Sequence, residues 1–190
     1  MNANDNRDYI GARQFSDRQL NRAKALLGLV LFTAANNDED INRNTDLMLR
    51  QPGGHRISHR MRSSEYFERY PMDFLIRCHR SMTNRTEIHK LMAGWGDYLF
   101  FCFANEDNTN FLQWFVGDLN ILREYIFRYI LTRPANDWPG QRVANKDDGT
   151  EARAISILHL PPEFIIGASH NLKKRIGHRY ENRRQYPLFI

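Results

Sequence analysis

The chain has 190 residues, of which 42% are hydrophobic and 26% charged, and a formal net charge of +5. That length supports one domain with a sizeable core, and the apolar content excludes a chain disordered throughout. The longest apolar runs, 25–35 and 98–104, fall well short of the roughly 20 residues a membrane helix needs, so no spanning helix is expected.

Residues 1–15 form a polar N-terminal arm. Its opening, MNANDNRDYIGARQ, has no apolar signal core, which predicts a cytoplasmic chain without a secretory leader. A single α/β domain is expected over 16–168. Ser16 followed by Gln19 makes a capping-box pattern, and Leu20, Ala23, Leu27, Val30 and Leu31 recur at helical spacing, so a helix should run to Asn36–Asn37. Thr45–Arg50 reads as a short strand and 51–54, Gln-Pro-Gly-Gly, as a turn. His55–Arg62 alternates with period two, placing Arg56, Ser58, Arg60 and Arg62 on one face and Ile57, His59 and Met61 on the other. A loop or short helical turn, 63–71, carries Glu65, Tyr66, Phe67 and Tyr70, and Asp73–Cys78 is a third strand.

A helix is expected over Thr86–Met92, stopped by Gly94 and Gly96. Tyr98–Ala104 is almost continuously apolar and predicts a central strand buried on both faces, hairpinned to Phe111–Val116. Asp118 or Asn120 can cap a helix over Ile121–Thr132, which Pro134 closes. The stretch 135–150 is rich in Asn, Asp, Gly and Pro and reads as a long flexible loop. A last strand over 154–160 and a short element to Ala168 complete the domain, leaving 169–190 as a basic tail with Lys173, Lys174, Arg175, Arg179, Arg183 and Arg184. The whole predicts a small mixed β-sheet flanked by helices.

The kind of cation is informative. Of 27 basic residues 22 are Arg and 5 are Lys. Arg presents a planar fork that pairs bidentately with phosphate and stacks on bases, so this bias points toward a polyanionic partner, most simply nucleic acid. The row Arg56, Arg60 and Arg62, with Arg77 and Arg80 on the next strand, needs an anion to offset its self-repulsion. Glu65, Glu68 and Asp73 can supply it from within, or a phosphate backbone from outside; the basic tail offers a second backbone contact. The two cysteines, Cys78 and Cys102, cannot make a disulfide framework and read as buried free thiols.

The order helix, three strands, helix, strand over Asp46–Arg123 resembles the core of the PD-(D/E)XK, or restriction-endonuclease-like, nuclease superfamily (α-β-β-β-α-β), here with an added hairpin strand and a packing helix. Asp46 stands where that superfamily has its first aspartate, and Ser58-His59-Arg60 where it has an acidic-x-Lys. The resemblance implies a Mg2+-dependent phosphodiesterase. Asp46 would be the first metal ligand, with Asp73 or Glu87 replacing the carboxylate lost at Ser58, and Arg60 would act on the phosphate. It equally admits a degenerate scaffold that binds nucleic acid or a protein partner without cutting.

Other chemistries find less in the sequence. His55 and His59 share a strand face, with His79 and His89 following, but no carboxylate or thiolate stands at ligand spacing to complete a zinc site. No Walker loop, dinucleotide fingerprint, HExxH or serine-hydrolase elbow is present. Gly94-Trp95-Gly96 reads as a tight helix-to-strand connection or as a base-facing Trp. An assembly subunit, burying Trp114, Trp138 and Phe189 against a neighbour, is a third class.

Overall fold

A strand that is apolar at every position must be covered on both faces, and Tyr98–Ala104 is the strand around which the fold is built. The computed structural model describes residues 55–79, 86–133, 137–144 and 149–184. It also describes the backbone of Phe32–Ala34 and Leu47–Leu49 and eight helical residues between 14 and 26; in the final helix side chains are described as far as Gly177.

The elements in chain order are β1 (Phe32–Ala34), β2 (Leu47–Leu49), β3 (Arg56–Arg62), α1 (Ser64–Arg69), β4 (Asp73–His79), α2 (Glu87–Met92), β5 (Tyr98–Ala104) and β6 (Phe111–Asp118). There follow α3 (Leu119–Leu131), β7 (Gln141–Ala144), β8 (Glu151–Ser156), two 3-10 turns (Ile157–His159 and Pro162–Phe164), β9 (Ile165–Ala168) and α4 (His170–Arg184). The fold is mixed α/β with two sheets. Six strands run in the order β1-β2-β3-β5-β6-β9, and three in the order β4-β8-β7. Among the described residues only β3 and β5 are parallel neighbours; their connection contains α1, β4 and α2.

Register decides which side chains meet. Ser58 lies beside Leu99, Arg60 beside Phe101 and Arg62 beside Phe103, so the arginine face of β3 continues into the apolar face of β5. That face packs against Phe74 and Ile76 of β4, Ile155 of β8, Leu122 and Ile126 of α3, and Leu172 and Ile176 of α4. On the opposite face Ile57, Phe100, Cys102 and Val116 enclose Ala23 of the N-terminal helix, with Leu20 alongside. The alternation expected over 56–62 is therefore present. So are the fully buried central strand and the capped helix, in which the Asp118 carboxylate accepts from the Asn120 N–H at 2.7 Å.

Five features differ from the sequence expectation, the first being that the last strand, expected over 154–160, spans Glu151–Ser156 and gives way to a 3-10 turn. The third strand, β4, leaves the main sheet and pairs antiparallel with β8, because its buried residues Phe74, Ile76 and Cys78 face β5 across a layer rather than lying beside it. The segment expected as a loop over 135–150 contains β7, an edge strand exposed at every position and so without an apolar signature. The helix expected to reach Asn36–Asn37 gives way to β1, where Phe32 and Thr33 are strand formers. The basic tail is helical as far as Arg184 and is anchored to the core by Leu172 and Ile176 one turn apart.

Candidate nucleic-acid interface

The arginine row has an internal counter-ion. Glu87 opens α2, and its Oε1 lies 3.2 Å from Nη2 of Arg60 while its Oε2 accepts the backbone N–H of Arg77 at 3.2 Å. Burial pushes the Glu87 carboxyl upward, but Arg60, Arg77 and Arg62 outweigh it and hold the group below the ordinary carboxylate range. One guanidinium, that of Arg60, pairs with this carboxylate, and the charges of Arg77 and Arg62 act on it through space. Arg62 is itself pulled down by burial, opposed by Tyr66 and Glu87, and its guanidinium stacks over the Tyr66 ring at 5.3 Å. Arg77 alternates outward on β4 and is exposed.

Of the carboxylates considered for a metal, Glu87 is engaged by guanidinium and amide donors. Asp73, at the start of β4, lines a different cavity. Asp46 and Arg80 lie outside the described residues, among which no group of three or more His, Cys, Asp or Glu comes together. Glu87 as it stands is a receptor for arginine, and the donors around it do not fit a cation centre.

Two cavities flank this cluster. The smaller, about 30 Å3, is lined by Ser58, Arg60, Glu87 and Trp95 among others and is of water size. The larger, about 110 Å3, opens between the two sheets, with Phe101 and Leu75 on its apolar side, Arg62, Asp73 and Gln141 as its polar groups, and Tyr66 and Tyr70 at its edge. Tyr66 and Tyr70 are 43% and 51% exposed, large aromatic surfaces left open to solvent beside a cationic cluster.

The helix α1 joins this cluster to the basic C-terminal segment. Tyr66 lies under Arg62, and its neighbour Phe67 lies under Arg175 of α4 at 5.4 Å while packing on Phe103. Lys173, Lys174 and Arg175 are all exposed. Two basic segments more than a hundred residues apart in sequence therefore meet across one short helix. Arg179, Arg183 and Arg184 continue α4, their side chains outside the described residues.

Arg56 and the histidines play other parts. Arg56 lies over Trp95 at 5.6 Å, and its N–H donates to Asp97 Oδ2 at 2.7 Å. His59 is buried, stacks on Phe100, and has Nε2 3.7 Å from Cys102 Sγ; burial lowers its pKa to about 4 and raises that of the thiol, so the pair is neutral. His55 faces Asp97, and His89 bonds Thr86 Oγ1 at 2.6 Å, so these three histidines serve separate neighbours. Trp114 and Trp138 each pack against a core of this chain, while Phe189 lies outside the described residues.

The sequence carried no signal for one arginine, Arg123. It donates from α3 to the carbonyls of Leu91 and Trp95, each at 2.7 Å, and to that of Gly96, tying the end of α2 and the glycine turn to the next layer. The aromatic wall was visible only as a Tyr- and Phe-rich connector; the spacing Arg62-x-x-x-Tyr66 across a strand end and the following helix is the signal that could have found it. Comparison with protein-family models, with curated proteins and with solved structures gives no match to this chain.

Proposed function

We propose that this protein binds single-stranded nucleic acid through the surface that α1 joins, formed by Arg62, Arg77, Lys173, Lys174 and Arg175, and that it binds without cutting. The carrying observation is the meeting of these two basic segments around Tyr66 and Phe67. Guanidinium groups beside exposed aromatic rings are the chemistry that tracks a phosphate backbone and stacks on unpaired bases. The binding alternative is favoured over the phosphodiesterase because Glu87 is held by arginine while Asp73 lines the other cavity. A protein partner with an acidic face is the second use of the same cations.

Anisotropy of a labelled single strand and a labelled duplex, at about 50 and about 200 mM salt, tests this reading. The expected result is single-strand binding that weakens steeply with salt. Replacing Lys173, Lys174 and Arg175 by Ala should lower the salt slope by roughly 0.7 for each phosphate no longer neutralised. The same samples with magnesium, run on a denaturing gel, should show intact strands; cleavage that needs magnesium and vanishes in Asp46→Asn would establish the nuclease instead. Absence of binding at low salt overturns the proposal.

A further inference from the structure

We propose that the cavity between the two sheets is a subsite for one pyrimidine base of the bound strand. The inference rests on the single-strand reading above and names what that surface holds. Size is the first argument. An apolar cavity of ~150 Å3 accepts a benzene ring. The cavity here is smaller, about 110 Å3, but open on one side, so a single six-membered ring can enter it with its edge toward solvent while a fused bicycle projects further.

Wall chemistry is the second. Phe101, 2% exposed, belongs to the packed core and gives the cavity a rigid apolar side, while the half-exposed rings of Tyr66 and Tyr70 stand at the edge where a base could stack. Besides the two tyrosine hydroxyls the polar groups are few: the Asp73 carboxylate accepts, the Arg62 guanidinium donates, and the Gln141 amide does both. A uracil or thymine edge presents one N–H between two carbonyl oxygens, which matches one acceptor accompanied by donors. A phenylalanine side chain would fill the space and leave all three polar groups without a partner from it. Charge is the third. Arg62 lines the cavity and Arg77 is exposed on β4, the strand that carries Asp73, so guanidinium groups are at hand for the phosphate attached to such a base.

The test compares a thymidine oligonucleotide with an abasic strand of equal length, at one salt concentration, on the wild-type chain and on Tyr70→Ala and Val143→Trp. Tyr70 and Val143 are both partly exposed at the cavity, so neither change empties the core. Wild type should bind the thymidine strand about tenfold more tightly than the abasic one. Both variants should lose that ratio while keeping the salt dependence of the abasic strand. A strand carrying 5-bromouracil should photocross-link to the cavity lining, within 62–75, 101–103 or 141–143 or at Ala154. Equal affinity for the two strands, with salt dependence intact, overturns the base subsite and leaves the nucleic-acid reading standing. A cross-link elsewhere also overturns the subsite, as does competition by acetyl-phenylalanine amide but not by thymidine. Failure of both strands to bind at low salt removes the underlying reading and the subsite with it.

Discussion

Glu87 stays below the ordinary carboxylate range although burial pushes it upward, because the Arg60 guanidinium and the Arg77 N–H hold it and the charges of Arg77 and Arg62 add to them. Glu87→Gln leaves Arg60 partly buried without its carboxylate, and we expect a loss of about 2 kcal/mol in urea unfolding. The same change removes one negative charge from beside the proposed binding surface. Affinity for a single strand at low salt should therefore rise, by about threefold, when measured on the folded variant. A fall in affinity would contradict the assignment of Glu87 as counter-ion. His59 supplies a second residue-level prediction. Its pKa is about 4 in the folded chain against 6.5 for the free side chain. Between those values the unfolded chain binds a proton that the folded chain refuses, so stability falls as pH drops from 6.5 to 4, by about 3 kcal/mol in all. Glu87, with its pKa depressed, contributes stability that is present above 4.5 and lost only below it. The two are separable. Urea midpoints of the wild type should drop between pH 6.5 and pH 4.5, and those of His59→Gln should change much less over that interval.

At the level of elements, the joint between α2 and β5 depends on two glycines and one arginine. Gly94 and Gly96 have φ of +89° and +77°, conformations a side chain resists, and they let the chain reverse within one turn. The carbonyls that this turn exposes are taken by Arg123. Arg123→Met keeps the apolar stem and removes the donors, and a loss of about 2 kcal/mol in denaturant unfolding is expected from the orphaned carbonyls. Nucleic-acid affinity of the folded variant should stay unchanged, since this arginine faces backbone rather than solvent. Elements of this kind were unevenly legible in the sequence. β3, β5 and α3 announce themselves through alternation, a continuous apolar run and a capped 3.6-residue stripe. The division into two sheets does not, because Phe74, Ile76 and Cys78 state only that one face of β4 is buried and say nothing of its lateral partner. β7 was hidden by having no buried face at all, and α4 by basic residues that masked Leu172 and Ile176. The arginine row of the candidate site was legible, but its counter-ion was not. Glu65, Glu68 and Asp73 are nearer in sequence than Glu87, and only the return of α2 across β3 and β4 makes the distant residue the close one.

Across the whole molecule the two sheets share one core: Phe74 of the smaller sheet touches Phe101 and Phe115 of the larger, and Phe164 stacks on Phe74 from the turn before β9. A three-stranded sheet whose outer strand is exposed has too little apolar surface to stand alone, so its stability is borrowed from that contact. The chain should consequently unfold as one cooperative unit. It carries its own reporters, since one buried free thiol lies in each sheet, Cys78 in β4 and Cys102 in β5. Burial raises the pKa of both, which suppresses the reactive thiolate as long as the layers stay together. Single-thiol chains, Cys102→Ser to follow Cys78 and Cys78→Ser to follow Cys102, can be titrated with urea in the presence of an aromatic disulfide reagent. Each thiol should become reactive at the urea midpoint that far-ultraviolet dichroism reports for the same variant. Exposure of Cys78 at a distinctly lower urea concentration than its own global midpoint would mean that β4, β8 and β7 open as a separate unit. In that event the cavity between the sheets would open and close with them, and base binding there would protect Cys78 without protecting Cys102.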